Sequence, residues 1–319
     1  MGGSVPAHGG QEMTVGNAMK KWNAARAPAG RIAYVNGRYL PFALAGVHVE
    51  DRALQLGDGI YEVANVIGGR PLDEEPHLDR LERSLRELGM PMPMSRAALK
   101  LVMREMIAKN RIADGFLYIQ VTRGAVKRDH IPPANGPRPT LIMTMRAQDM
   151  AGLDQRLKKG IAVSTQPDIR WGRCDIKTVQ LLPNLLAKQA ARKAGAFEAW
   201  LVDDEGYVTE GSSTNAWIVD KDGTVITRDL SNAILPGVTR RVILQAMAEA
   251  QLQVVERKFT VAEALAASEA FLSSATGAGV PVIAIDGRAI GNGKPGALTR
   301  RIRELYFAQA GIGAGLKNA

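Results

Sequence analysis

Short strand-like runs alternate along this chain with longer segments of helical periodicity, and this mixture restricts its fold more than any other feature. In residues 31–40, Asn36-Gly37 separates two short apolar runs, a pattern typical of a β-hairpin. The segment His77–Leu88 instead has leucines at helical spacing and is followed by Gly89, a common helix stop. Strands and helices mixed in this way predict an α+β or α/β fold.

Other segments extend the same mixture over most of the chain. The predicted strands are residues 59–67, 115–123, 140–145, 160–165, 198–202, 214–219 and 224–226, with strand and loop in 271–285. The predicted helices are residues 96–110, opened by Ser95, together with 183–193 and 238–252. Residues 147–159 resemble a connection between two domains. We therefore expect an N-terminal extension over 1–30, a small α/β domain over 31–147, an interdomain linker over 148–155 and a large domain over 156–319.

Cysteine and histidine are scarce, with one cysteine, Cys174, and 4 histidines in 319 residues. This scarcity excludes an intrachain disulfide and a cysteine-rich zinc site and favours a reducing compartment. No pair of histidines lies at a metal-ligand spacing, so we expect no metal centre. The first 30 residues lack the apolar core of a secretory signal, and we expect them to form a loosely docked extension, with a transit peptide as the alternative. The predicted location is the cytoplasm.

The chain is basic, with 41 lysines and arginines, 32 acidic residues and a net charge of +9. These basic residues are scattered, and an aromatic content of 5% is low for a base-stacking surface. An anionic cofactor or substrate therefore fits the charge better than nucleic acid, although a basic protein that binds a polyanion remains the alternative from a different class. No segment approaches the roughly 20 apolar residues that cross a bilayer, so we expect no membrane partner.

Three segments could carry chemistry. In Arg170–Lys177, two arginines near Lys177 would favour the neutral amine, the form that attacks a carbonyl. Glu210 lies between a strand-like run and a Gly-Ser turn, where one carboxylate can be held rigidly. In 235–241 a Pro-Gly turn leads into a helix whose first N–H groups, with Thr239, could hold a phosphate. Taken singly, these segments could also be a solvated basic loop, a surface turn and an ordinary helix start.

One cofactor needs all three features, because pyridoxal phosphate requires a Schiff-base lysine, an acid at its ring nitrogen and an anion site. In Gly57–Val63, Arg170–Lys177, Thr209–Ser213 and Leu235–Arg240 the chain resembles the fold-type IV pyridoxal phosphate-dependent aminotransferases, and among them most closely the D-amino acid (D-alanine) aminotransferases. The resemblance covers about residues 33–303. It implies the two-domain fold of that family, with the large domain binding the cofactor.

The resemblance also implies roles for individual residues. Lys177 would be the catalytic lysine, which holds the cofactor and moves the proton between Cα and C4′. Glu210 would pair with the ring nitrogen, and Arg80 would bind the phosphate through its forked donors. The residues implied to bind the cofactor are Arg80, Lys177, Glu210, Leu235, Val238, Thr239, Ser274 and Thr276.

Two of these assignments carry qualifications from the sequence itself. Leu235 would pack against the ring face away from the lysine, but an ordinary core leucine would have the same residue type. In the loop Ser273–Thr276, Ala275 stands where relatives usually have a threonine donor, so Ser274 or Thr276 must substitute.

Substrate choice would depend on Tyr61, Val63, Arg128 and His130. Tyr61 and Val63 lie on one face of their strand by period-two alternation. Arg128 and His130 match a loop pair that traps the substrate α-carboxylate in D-amino acid aminotransferases. In that family the pair comes from the neighbouring subunit, so the resemblance implies a homodimer. The alternative is that Arg128 and His130 are solvent-facing loop residues.

The leading interpretation is a transaminase that passes the amino group of D-amino acids (D-alanine, D-glutamate) to 2-oxo acids such as 2-oxoglutarate. Transamination of branched-chain L-amino acids, transamination of (R)-amines, and aminodeoxychorismate lyase activity are the alternatives within the fold. Lys177 and Glu210 cannot separate these activities because all of them need the same cofactor machinery, whereas Arg128 and His130 can.

Overall fold

Residues 30–311, the part of the chain that the computed structural model describes, form two β-sheets and the helices that cover them. The helices are α1 (Arg52–Leu56), α2 (Glu74–Glu87), α3 (Arg96–Asn110), α4 (Met150–Lys159), α5 (Leu182–Lys193), α6 (Val238–Glu249), α7 (Val261–Ala266) and α8 (Ala297–Gln309). A short 3₁₀ helix spans Phe42–Leu44.

The first sheet, here called the small sheet, contains six antiparallel strands in the order β2-β1-β6-β5-β3-β4. Its strands are β1 (Ile32–Val35), β2 (Arg38–Pro41), β3 (Gly59–Ile67), β4 (Arg70–Pro71), β5 (Gly115–Thr122) and β6 (Thr140–Ala147). Leucine and methionine side chains of α2 and α3, among them Leu81, Leu99 and Met103, pack against the inner faces of β5 and β6 and are fully buried. Burial of each such side chain contributes roughly 1.5–3 kcal/mol, so these two helices fix the small sheet.

The second sheet, here called the large sheet, has nine strands with the path β12-β11-β10-β13-β14-β7-β8-β9, and β15 pairs with β14. Its strands are β7 (Ile161–Pro167), β8 (Glu198–Val202), β9 (Val208–Gly211), β10 (Asn215–Val219), β11 (Val225–Thr227), β12 (Val254–Glu256), β13 (Glu269–Ser274), β14 (Gly277–Ile285) and β15 (Arg288–Ala289). Strand β7 pairs parallel with both β8 and β14, β11 pairs parallel with β12, and the other pairs are antiparallel. Its near-continuous apolar strands are buried on both faces, one under α6 and α8 and the other facing α4 and α7.

Local turn and cap chemistry explains why most strands and helices begin and end where the sequence predicts. Asn36 and Gly37 both have positive φ values, 46° and 88°, as a two-residue hairpin turn requires. The Ser95 hydroxyl accepts the Ala98 N–H and opens α3. Gly195 takes a φ of 78° just after α5, which has a proline in its first turn. These elements confirm the mixed α and β fold class.

Two expectations need correction. The predicted helix 77–88 begins three residues earlier, because Asp73 in a left-handed conformation precedes an acidic first turn that the leucine periodicity does not reveal. The stretch 147–159, predicted as a connection, contains α4, which is capped by Asp149 and buries Leu153 in the core of the large sheet. The division into domains at these residues stays a prediction, and the extension at 1–29 and the end of the large domain at 312–319 lie outside the described residues.

Within residues 30–311 no helix combines the length and apolar character needed to cross a membrane. In the same range, no three histidine, cysteine, aspartate or glutamate side chains are grouped closely enough to hold a metal ion.

Candidate active site

A cavity of about 630 Å³ opens between the two sheets and collects most of the residues that the sequence singled out. Strand β3, helix α2, the segment before α5, strand β9, the start of α6 and the β13–β14 turn all contribute to its wall. The predicted residues that line it are Tyr61, Val63, Arg80, Lys177, Glu210, Leu235, Val238, Thr239, Ser274 and Thr276. The structure therefore brings ten of the twelve predicted site residues together, and Arg128 and His130 lie elsewhere.

The backbone at Lys177 pairs with the first residues of strand β3, which forms part of the cavity wall. The Lys177 carbonyl accepts the Tyr61 N–H at 3.0 Å, and the Val179 N–H donates to Gly59 at 3.0 Å, so the segment after Lys177 pairs with β3. Its ammonium nitrogen lies 4.2 Å from the centre of the Tyr61 ring. This backbone pairing fixes the point from which the amine enters the cavity.

Both arginines that the sequence places near Lys177 have carboxylate partners in the structure. Arg170 donates to both Asp168 oxygens, at 2.8 and 2.7 Å, and also binds Glu210. Arg173 pairs with Asp175 at 2.9 Å and with Glu87 at 2.6 Å. Carboxylates therefore balance both guanidinium groups.

Glu210 occupies one end of the cavity and is almost completely buried on β9. Its carboxylate accepts hydrogen bonds from Arg170, from the Asn215 side-chain amide at 3.0 Å and from the Leu235 N–H at 3.2 Å. Burial raises the pKa of Glu210 above its usual value, against the opposing influence of Arg170. Two carboxylates, Asp168 and Glu210, share one guanidinium, so this group carries a net negative charge when both are ionised.

Arg80 lies at the other end of the cavity. Its Nε and Nη2 donate to the two oxygens of Glu62 at 2.8 Å each, and its Nη1 donates to the Pro236 carbonyl at 3.1 Å. His77 Nδ1 lies 2.7 Å from Glu62 Oε2. These contacts use three of the five N–H donors of Arg80, so the predicted phosphate contact would have to use the remaining N–H of each Nη atom and stays a prediction. Interaction with the Arg80 cation overcomes burial and lowers the pKa of Glu62 to about 2.

The start of α6 lies beside Arg80 and leaves donors free. Gly237 precedes the helix, and no side chain caps its first N–H groups. A Cβ at Gly237 would lie 2.0 Å from the Asn215 amide oxygen, so only glycine fits there. The Thr239 hydroxyl is buried and has no hydrogen-bond partner among residues 30–311. Free backbone donors and an unpaired hydroxyl at a helix N-terminus are the ordinary components of an anion site.

The β13–β14 turn faces the same end of the cavity. Ser273 lines the cavity there, and its hydroxyl accepts the Trp217 indole N–H at 2.8 Å, which leaves its own O–H free to donate. The hydroxyls of Ser274 and Thr276 lie 3.1 Å apart and both residues line the cavity. This arrangement agrees with the expectation that one of these two residues substitutes for the donor missing at Ala275.

Sequence reasoning missed Glu62, Asn215 and Thr214 as members of this site. Glu62 had a detectable signal, because alternation along β3 places it on the face opposite Tyr61, where a charged residue must find a buried partner. Asn215 bridges Glu210 and the Leu235 carbonyl, a contact that only the folded chain reveals. Thr214 lines the cavity with a buried hydroxyl that is unpaired in the described part of the chain.

Arg128 and His130 lie in an exposed loop and do not line this cavity. Buried Arg52 holds the loop by its backbone, donating to the carbonyls of Asp129 at 2.6 Å and His130 at 3.1 Å. The loop is thereby fixed while the two side chains stay outside the cavity of their own chain. Their predicted role in substrate binding needs a second copy of the chain and stays a prediction.

This fold and cavity belong to a known class. Residues 59–285, more than half of the chain, match the family model described as amino-transferase class IV. The chain is a member of the class IV aminotransferase family. This membership confirms the predicted enzyme class, the fold-type IV fold and pyridoxal phosphate as the cofactor.

Among curated proteins, the chain is similar to the D-alanine aminotransferase of Bacillus licheniformis, with 38% identity over 268 residues that cover 84% of this chain and 93% of the relative. It is 37% identical to a D-alanine aminotransferase of Listeria monocytogenes over 276 residues, 86% of this chain and 94% of the relative. Among solved structures, the Escherichia coli branched-chain amino acid aminotransferase superposes with a TM-score of 0.80 at 26% identity, covering 88% of this chain and 94% of that one. A branched-chain aminotransferase from Thermoproteus uzoniensis gives a TM-score of 0.76 at 25% identity, over 89% and 96% of the two chains.

Proposed function

We propose that this class IV aminotransferase transfers the amino group of D-amino acids, D-alanine and D-glutamate among them, to 2-oxo acids such as 2-oxoglutarate. The observation that carries the cofactor chemistry is the cavity in which Lys177 lies between two ends of different charge. The D-amino acid preference is supported by the D-alanine aminotransferases that match this chain over most of their length.

The residues of the cavity fit pyridoxal phosphate at both of its polar ends. The free N–H groups at the start of α6, the unpaired Thr239 hydroxyl and the Ser274–Thr276 pair supply donors for the phosphate. Glu210 supplies a carboxylate whose charge is incompletely balanced, which suits a protonated ring nitrogen. Arg80, held in place by Glu62, adds a cation beside the phosphate donors and keeps one free N–H on each Nη atom among the described contacts.

Bound pyridoxal phosphate supplies an aldehyde that takes up the substrate amino group and a ring that withdraws electrons from Cα. Lys177 would be the attachment point of the cofactor and, once released, the base that removes the Cα proton and returns it at C4′. Glu210 would hold the proton on the ring nitrogen, and Asn215 would keep Glu210 in position. Leu235 would pack against the ring face away from Lys177.

We further propose that the enzyme works as a homodimer in which Arg128 and His130 of one copy approach the cavity of the other. Large apolar side chains are exposed in segments beside this loop, at residues 44–54 and 131, and in segments at or beside the cavity wall, at residues 169–186. They are Leu44, Val47, Val49, Leu54, Ile131, Ile169, Trp171, Leu182, Leu185 and Leu186. Apolar side chains exposed at both places support a protein–protein interface there. Tyr61 would then join the loop pair in binding the substrate α-carboxylate.

Branched-chain L-amino acid transamination is the second candidate, because the branched-chain enzymes superpose on the chain with high TM-scores. It differs from the first candidate in stereochemistry rather than in the machinery at Lys177 and Glu210. (R)-Amine transamination and aminodeoxychorismate lyase activity share the same machinery.

The visible spectrum of the purified protein tests cofactor, reaction and stereochemistry together. The band of the bound cofactor should shift when D-alanine is added and persist when L-alanine or L-leucine is added. A shift with L-leucine alone would favour the branched-chain activity, and a protein without a cofactor band after reconstitution would contradict the proposal.

Replacement of Arg128 by alanine tests the substrate-binding loop. Loss of a charge-assisted contact to the α-carboxylate should cost about 2–4 kcal/mol of apparent binding and should raise KM for D-alanine more than it lowers kcat. Simple (R)-amines have no carboxylate and should be nearly indifferent to the change. Equal loss for both substrates would contradict the carboxylate-binding role.

A further inference from the structure

A second cavity, of about 1040 Å³, lies behind the β13–β14 turn and shares only Thr276 with the catalytic cavity. One wall comes from α4 and α8 beside the large sheet, and the opposite wall includes Asn65 and Ile67 of β3. None of the exposed apolar residues that we assign to the dimer surface contributes to it. This cavity is therefore separate from both the catalytic site and the proposed interface.

Arg303 of α8 provides the main cation of this second cavity. Its Nη1 donates to the Ala278 carbonyl at 2.6 Å, and its guanidinium lies 4.6 Å from the centre of the Phe307 ring. Ala278 and Phe307 both line the cavity, so the guanidinium forms part of the wall between them. No carboxylate of the described residues lies within ion-pair distance of Arg303, and burial lowers the pKa of its guanidinium to about 10.

This lack of a partner sets half-buried Arg303 apart from the buried arginines of residues 30–311. Arg52, Arg80, Arg228 and Arg240 each lie within 3.2 Å of a carboxylate oxygen. A guanidinium has five N–H donors, and for Arg303 the described chain accepts one hydrogen bond. Removing such a charge from water without a counter-ion is costly, which makes an anionic ligand the natural partner.

The other residues of the wall indicate what else the ligand must contain besides a negative charge. Leu153 and Leu157 of α4 face Phe307 and Ile67 across the cavity and provide apolar surface. Three acidic residues also line the cavity: Asp154 pairs with the lining residue Lys158 at 2.8 Å, Asp114 accepts the Gly68 N–H at 3.0 Å, and exposed Glu304 has no ion-pair partner among residues 30–311. Arg300, one turn before Arg303, adds a second cation to the wall. A concave wall that combines apolar surface with charged groups suits a small ligand with an apolar body and a charged end.

We propose that this second cavity binds a small carboxylate with an apolar body, and that Arg303 receives the carboxylate. The ligand is not a substrate at this position, because Lys177 and Glu210 line only the other cavity. Since Thr276 borders both cavities, the bound ligand contacts the back of the turn that faces the cofactor phosphate.

The probe for this site is 4-(trifluoromethyl)phenylacetate, which has a carboxylate and an apolar ring but no amino or oxo group to react. Fluorine NMR titration of the holoenzyme should give saturable binding, and Arg303→Met should weaken this binding tenfold or more, because it keeps the length of the side chain and removes the charge. Arg301→Met is the matched control, since Arg301 is exposed on the same helix and does not line the cavity. Binding to that variant should be unchanged.

A second variant keeps the test valid if Arg303→Met folds poorly. Ala308 is exposed and lines the cavity, so Ala308→Trp should fill the space and weaken the probe at least fivefold. Absence of saturable binding to the wild-type holoenzyme overturns the proposal. So does binding that survives both cavity variants but is lost in Arg128→Ala, because the probe would then occupy the catalytic site. The spectral response to D-alanine is read separately, so failure here leaves the proposed transamination to its own test.

Discussion

The two polar ends of the catalytic cavity each contain a buried glutamate bound to an arginine, yet the pKa values of the two glutamates shift in opposite directions. Glu62 accepts two hydrogen bonds from Arg80 and one contact from His77, and its pKa falls to about 2. Glu210 shares Arg170 with Asp168, and its pKa rises above the usual value because burial dominates. A glutamate and an arginine at one end thus give an ionised carboxylate whose charge is balanced. At the other end they give a carboxylate whose negative charge is only partly balanced.

This difference matches the two ends of the cofactor. Glu62 and Arg80 cancel each other, so the free N–H groups of α6 and the Thr239 hydroxyl remain to bind a phosphate. At the Glu210 end, two carboxylates face one guanidinium, and a protonated ring nitrogen would complete the balance. The comparison implies that Glu62 contributes to the stability of the fold and to phosphate binding, whereas Glu210 contributes to the rate of the reaction.

The largest expected effect comes from Lys177→Ala, which removes the amine between the two ends and leaves both ends intact. Transamination of D-alanine should fall by at least about a thousandfold, more than about 4 kcal/mol of barrier. Pyridoxal phosphate should still bind without covalent attachment, as equilibrium dialysis would measure. Substantial turnover by this variant would remove Lys177 from the mechanism, and complete loss of cofactor binding would mean that the two ends do not hold the cofactor themselves.

Glu62→Gln should have the next largest effect, and mainly on stability. It leaves the Arg80 cation buried without its carboxylate, which typically costs about 3–5 kcal/mol in the free energy of unfolding. Affinity for pyridoxal phosphate should fall, whereas affinity for pyridoxal, which lacks the phosphate, should change little. Glu105→Gln on the exposed face of α3 is the control and should cost less than about 0.5 kcal/mol. Equal loss of affinity for both forms of the cofactor would contradict a role at the phosphate end.

Glu210→Gln should act on rate rather than on phosphate binding. Loss of the charge that holds the ring proton should lower kcat by about a hundredfold, near 2.7 kcal/mol. Because Arg170 keeps its two hydrogen bonds to Asp168, the structure should tolerate the change. Steady-state kinetics with D-alanine provide the measurement, and an unchanged kcat would mean that another acid protonates the ring.

Local signals made much of the fold predictable, as Ser95 and the Asn36-Gly37 turn illustrate. Such residues determine backbone geometry through contacts with their immediate neighbours, so the sequence alone reveals their effect. The start of α2 was misplaced because its first turn is polar and carries no apolar period. Strand β9 and helix α8 were not predicted as separate elements, since tertiary packing decides them.

The sequence predicted which residues line the candidate site, but not which of their side chains pair with one another. Lys177, Glu210 and Thr239 were identified correctly as residues that line one cavity. The partners of Arg80 and Arg170 were not, because Glu62 lies 18 residues and Glu210 lies 40 residues away in sequence. Charge balance in a buried site depends on such distant contacts, so the sequence did not reveal that carboxylates pair with Arg170 and Arg173.

The pH dependence of stability is the smallest expected effect and also the sharpest test of the comparison. The cost of replacing each glutamate should change with pH, and the change should have opposite signs for the two glutamates. The pKa of Glu62 is lowered, so its stabilising contribution is complete above about pH 4.5 and is lost as pH falls towards 2. The cost of Glu62→Gln in the apoenzyme should therefore shrink by about 1 kcal/mol between pH 7 and pH 4. The pKa of Glu210 is raised, so its contribution is lost as pH rises, and the cost of Glu210→Gln should be smaller at pH 7 than at pH 4. Urea unfolding of the wild type and both variants at the two pH values measures these differences, and slopes of the same sign would contradict the assignment of one balanced and one partly balanced carboxylate.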